Sequence, residues 1–217
     1  LIRRKDVLWV NILGRRFCDE SICDDFIFGQ NAVARQPGKK CWAILDEAAI
    51  RRAFEDLPNM MAPLTETRNG MEDLYEAIEL EVERGSILRA PSIGKLAALA
   101  GMDADVLSEE VAAYNTGCAA GHDPLFGKDR RSLFAVAEGP FYAVPAGMDI
   151  ITTHGGICTD SNMQVITEAG TPIPGLFAAG IDISGLDSGD YSVMLSGHAF
   201  GFSLAGGRLA AQEMSRQ

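Results

Sequence analysis

Two glycine-marked stretches near the end of this chain, and one glycine pattern that never occurs in it, constrain the fold most. The first stretch reads His154-Gly155-Gly156-Ile157-Cys158-Thr159-Asp160 and resumes at Ile173-Pro174-Gly175-Leu176-Phe177-Ala178-Ala179-Gly180. The second is Ser196-Gly197-His198-Ala199-Phe200-Gly201, followed by Gly207-Arg208-Leu209-Ala210-Ala211. Turn signals at Gly155-Gly156, Asp160-Ser161-Asn162 and Ala169-Gly170 predict β-hairpins from about 149 onward. They lead to a short buried strand over 176–179, a Gly/Ser/Asp loop over 184–191 and a closing helix over 196–213. Nowhere in the chain do two glycines stand two residues apart. The G-x-G-x-x-G turn that seats a pyrophosphate on a helix N-terminus is therefore absent from these residues.

Before about 148 the pattern differs. Val7-Leu8-Trp9-Val10 and Cys41-Trp42-Ala43-Ile44-Leu45 read as short strands. Asp46 can cap a helix over 47–57, with Ile50, Phe54 and Leu57 on its apolar face. Pro58 and Pro63 bracket a loop over 60–68. An amphipathic helix over 72–84 ends at Gly85, and 86–90 reads as a strand. Ser92 caps a helix ending at Gly101, and a second helix over 105–116 lines up Val106, Leu107, Val111 and Tyr114. A polar loop over 121–129 leads to a strand at 141–144. The whole reads as an α+β chain in two parts, 1–148 and 149–217.

Charge and cysteines exclude several classes of function. A net charge of −11 argues against nucleic acid and against anionic membrane surfaces, both of which call for clustered Lys and Arg. The five cysteines, Cys18, Cys23, Cys41, Cys118 and Cys158, form no C-x-x-C and lie apart from the histidines. They read as reduced structural thiols, and no metal site is expected. No apolar run approaches the roughly 20 residues of a membrane span. The chain opens Leu-Ile-Arg-Arg-Lys-Asp, with neither Met nor a signal-peptide core. We expect its true start to lie upstream, which leaves localisation unknown.

Four segments together resemble the fumarate reductase/succinate dehydrogenase flavoprotein family, which also holds 3-ketosteroid dehydrogenases and urocanate reductases. Val10 to Glu20 (VNILGRRFCDE) is similar to the family's V-N-x-x-G-x-R-F-x-x-E, and 93–115 to its cap-domain helix pair ending in Y-N. Gly155 to Asp160 with Ile173 to Gly180 is similar to G-G-x-x-x-D…I-P-G-L-Y-A-A-G. Ser196 to Ala210 is similar to the family's final glycine turn and helix. The resemblance implies a cap (substrate) domain over 1–148, with short strands and a helical layer. It further implies that 149–217 is the C-terminal β-hairpin, strand and helix segment of an FAD-binding α/β domain whose N-terminal half is missing here.

The same resemblance implies cofactor contacts at His154, Gly155, Gly180, Asp182, Ser196, Gly197, His198, Ala199 and Phe200. It places the family's proton-relay Glu at Glu20 and its catalytic cap Arg at Arg51, beside Arg52. Tyr191 offers a phenol for acid catalysis or for an oxyanion. Each has a plainer alternative: solvated helix arginines, a capping or ion-paired Glu20, a packed loop tyrosine, a capping or buried neutral His198. Where dicarboxylate reducers carry a clamping Arg, this chain has Met194. Their His falls on Thr152, their Asn on His198 and their flavin-contacting Glu on Ile181. Without the bidentate Arg, fumarate and succinate are not expected substrates.

The function implied is that of a fragment of an FAD-dependent oxidoreductase. It would pass a hydride between flavin and an activated C–C double or single bond of a small organic substrate. The alternative is a non-catalytic truncated or degenerate relative that does not bind FAD by itself. An unrelated α+β binding domain is a third reading. Implied partners are a small-molecule substrate, the missing FAD-binding half and an electron-donor module. Edges left open in 149–217 also predict self-association.

Overall fold

The computed structural model describes residues 4–60, 71–148, 153–187, 191, 195 and 197–216. The loop expected after Met60, Thr152, Met194 and Ser196 lie outside the described residues. The chain is mixed helix and antiparallel sheet, and it divides into two compact units, Leu1–Met148 and Asp149–Gln217.

Unit one is built on four strands, β1 (Leu8–Asn11), β2 (Lys40–Leu45), β3 (Leu88–Ala90) and β4 (Phe141–Gly147), in the order β1-β2-β4-β3. All neighbours are antiparallel, with Leu8 opposite Ile44 and Ile44 opposite Ala143. Because side chains alternate along a strand, β1 and β2 send Val7, Trp9, Cys41, Ala43 and Leu45 to one face and Leu8, Val10 and Ile44 to the other. Both faces are covered. The first packs on α1 (Phe26–Ala34), α2 (Glu47–Met60) and α3 (Met71–Glu83), through Val33, Ile50 and Ile78. The second packs on α4 (Ile93–Leu99) and α5 (Ala104–Ala120), through Leu96, Leu107, Val111 and Tyr114. Helices therefore cover both faces of the sheet. A sheet buried on both faces needs apolar residues at successive positions, which explains why β2 reads Cys-Trp-Ala-Ile-Leu without alternation.

The caps are local chemistry. Asp46 accepts the Ala49 N–H at 2.8 Å, and its second oxygen accepts the Ala137 and Glu138 N–H groups at 3.0 and 3.1 Å. One carboxylate thereby starts α2 and pins the approach to β4. Asp103 caps α5, and Gly121 closes it in the left-handed region. Helix α1, which the sequence pattern did not reveal, is capped by Asp25.

Unit two holds a two-stranded ladder, β5 (Gln164–Ile166) against β6 (Pro172–Phe177), and the long helix α6 (His198–Met214). The strand expected over 176–179 is instead β6, which begins at Pro172 and is mostly exposed. A proline is tolerated here because this ladder has only edges. Helix α6 starts two residues later than expected. Its Gly206 lies so close to the ladder that an added Cβ would meet Met163 Sδ at 3.4 Å and Ala179 Cβ at 3.5 Å. Among the described residues no helix is long and apolar enough to cross a membrane.

Candidate functional site

The polar groups of unit one satisfy each other. Arg16 donates to Asp123 at 2.9 and 3.0 Å and to Glu20 at 3.2 and 3.3 Å. Lys128 reaches the same Glu20 at 3.0 Å, the Val7 carbonyl at 3.0 Å and the Tyr114 hydroxyl at 3.2 Å. Glu20 also accepts the Trp9 N–H at 3.0 Å. The four charged side chains are at most 2% exposed. Burial works against ionisation of Asp123, yet Arg16 and the Leu125 and Lys128 N–H groups hold its carboxyl at about 2. Burial raises the Tyr114 phenol well above its ordinary value.

Glu20, read from the sequence as a relay carboxylate, therefore sits enclosed by cations and N–H donors. Arg51 is elsewhere, on the exposed side of α2, with Nη2 2.7 Å from Glu138 Oε2. The neighbouring Arg52 turns inward to Asp6 at 2.8 Å and lies over the Phe134 ring at 4.4 Å. The structure does not bring Glu20 and Arg51 together.

Unit two brings several of its expected residues to one place. The chain at His154-Gly155-Gly156 runs beside 181–184. Gly155 N–H donates to the Ile181 carbonyl at 2.9 Å, Ile157 N–H to the Asp182 carbonyl at 2.9 Å and Ser184 N–H to the Ile157 carbonyl at 2.8 Å. Gly180 enters this turn at φ +106, a conformation closed to most L-residues, and a Cβ added there would meet nothing within 4 Å. The first turn of α6 follows Gly197 in the left-handed region and has no side-chain cap. The His198 N–H donates to the Leu195 carbonyl at 3.1 Å, while those of Ala199 and Phe200 have no intrahelical partner and carry the positive end of the helix dipole.

Tyr191 joins these two features. Its ring centroid is 4.6 Å from that of His154 and 4.5 Å from that of His198, tilted by 50° and 36°. Asp187 completes the group, its Oδ2 lying 3.6 Å from His154 Nδ1 and 3.6 Å from His198 Nε2. Both distances are too long for direct hydrogen bonds. Among the described residues, both ring nitrogens of His154, His198 Nε2 and Asp187 Oδ2 are covered from solvent and have no hydrogen-bond partner. Such groups are rare in a folded chain and point to a missing ligand, ion or water.

Of the expected cofactor contacts, Gly155, Gly180 and Asp182 lie along the paired turn, while Gly197, His198, Ala199 and Phe200 open α6. Phe200 is 74% exposed. Sequence reasoning did not single out Asp187. It stands in a Gly/Ser/Asp loop, and no spacing separates it from Asp182 or Asp190. The described residues contain no cluster of three His, Cys, Asp or Glu able to hold a metal ion, and all five thiols are free.

Unit two thus brings together an open glycine backbone and a helix start without a side-chain cap. A profile of the FAD binding domain matches residues 2–190. The chain is 32% identical over 209 residues to the vinyl phenol reductase of Lactiplantibacillus plantarum, covering 94% of this chain and 42% of that protein. It is 28% identical over 216 residues to a cytochrome-type fumarate reductase of Shewanella frigidimarina, covering 99% of this chain and 33% of that one. A 3-ketosteroid-Δ4-(5α)-dehydrogenase from Rhodococcus jostii superposes with a TM-score of 0.67 at 26% identity, over all of this chain and 39% of that structure. The chain belongs to the fumarate reductase/succinate dehydrogenase flavoprotein family, and it spans less than half the length of these relatives.

Proposed function

We propose that this chain is the cap, 1–148, and the returning flavin-contacting segment, 149–217, of an FAD-dependent oxidoreductase that acts on an activated carbon–carbon bond of a small organic molecule. The observation that supports it most is the meeting of the His154 turn and the uncapped start of α6 around Tyr191. Bound FAD would supply hydride transfer, the step for which the chain has no group of its own.

The residues of unit two would do the rest. Gly155 and Gly180 leave the backbone bare where a planar ring system must approach closely. The Ala199 and Phe200 N–H groups at the start of α6 would stabilise negative charge on a bound ring. His154, His198 and Asp182 supply polar contacts around it. Tyr191 Oη holds a proton for the substrate, between two imidazoles that orient the ring.

In the cap, Arg51 is an accessible cation, since its partner Glu138 is 56% exposed and solvent screens the pair. We assign Glu20 to the support of the cap. Moving a proton through it would break contacts with Arg16, Lys128 and the Trp9 N–H. We also propose that the substrate is not a C4 diacid, because Met194 and Thr152 stand where the family's diacid reducers carry the clamping Arg and the His.

The test is colour and turnover. FAD is added to the chain alone, and to the chain preceded by a dinucleotide-binding half, and each is gel-filtered. We expect the first to elute colourless and the second to keep its flavin, which an activated alkene then reoxidises faster than fumarate does. Flavin kept by the chain alone, a colourless longer protein, or fumarate as the better oxidant would each overturn part of this reading.

A further inference from the structure

We draw no further inference here: the strongest candidate, the exposed apolar face of α6 formed by Phe200, Leu204 and Met214, carries nothing because nothing in the structure shows what covers it.

Discussion

Arg16 is the side chain on which the buried charges of the cap depend, and Arg16→Ala tests that dependence. Its guanidinium is 2% exposed and makes two contacts each to Asp123 and Glu20, which are themselves 2% and 0% exposed. After removal Glu20 keeps Lys128 and the Trp9 N–H, but Asp123 keeps only backbone N–H donors from Leu125 and Lys128. Breaking a buried pair from one side costs about 3–5 kcal/mol, because the carboxylate left behind stays desolvated. At roughly 2–4 °C per kcal/mol for a chain of this size, the melting point should fall by roughly 6–20 °C. Tryptophan fluorescence reads the right unit, since Trp9 and Trp42 are the only tryptophans and both belong to the first. The acid limb supplies a second reading. Asp123 has its carboxyl held at about 2 against an ordinary 3.8. A depressed folded pKa stabilises above the ordinary value, and that stability is lost as pH falls from 3.8 toward 2. Without Arg16 burial is opposed only by backbone N–H groups, so the loss of stability between pH 3.8 and 2 should shrink. A loss below about 1 kcal/mol, the worth of a solvent-exposed pair, would refute the argument.

Ellman titration of the native chain should find Cys158, which is exposed, reacting first. Cys18, Cys41 and Cys23 should react only on unfolding, because burial pushes their thiols to about 12, 12 and 11. Alkaline titration at the phenolate band should find Tyr75 and Tyr142 un-ionised until about 12, raised by burial and by their shared partner Glu47. Since those folded values lie above the ordinary 10, the stability involved is full below pH 10 and lost between 10 and 12. Glu47→Gln should bring both ionisations down.

Much of unit one was legible because its signals are local. Asp46, Ser92 and Asp103 cap the helices that follow them, and Gly121 closes α5. Helix α1 was not legible, because FIFGQNAVA places apolar residues all round, with a helix-weakening glycine inside. Its reason is tertiary: a Cβ at Gly29 would stand 3.3 Å from the Trp9 ring, so the glycine lets the helix lie against β1. Strand β6 was misplaced because Pro172-x-Pro174 reads as a breaker, whereas a two-stranded ladder can spare the lost donors. In unit two, His154, Tyr191 and His198 were legible one at a time, through resemblance. Their convergence was not, because His154, Asp187, Tyr191 and His198 meet only through tertiary contacts. No periodicity encodes such a meeting.

The two acidic centres separate scaffold from site by a physical criterion. Around Asp123 every donor and acceptor is matched, which is what stability selects. Around Asp187 four polar atoms are covered and unmatched, a loss of stability that a ligand-binding place can carry and a scaffold does not. The same substitution should therefore have opposite signs at the two. Asp123→Asn removes the charge that Arg16 neutralises and should lower the melting point of the first unit, read by tryptophan fluorescence. Asp187→Asn puts an amide donor 3.6 Å from a ring nitrogen of each histidine. It should stabilise the second unit by about 1–3 kcal/mol, the cost of an unsatisfied group, read from hydrogen-exchange protection of the α6 amides. If Asp187→Asn destabilises α6 as Asp123→Asn destabilises the cap, then Asp187 is a structural anchor. The open polar atoms at its side would no longer mark a binding place.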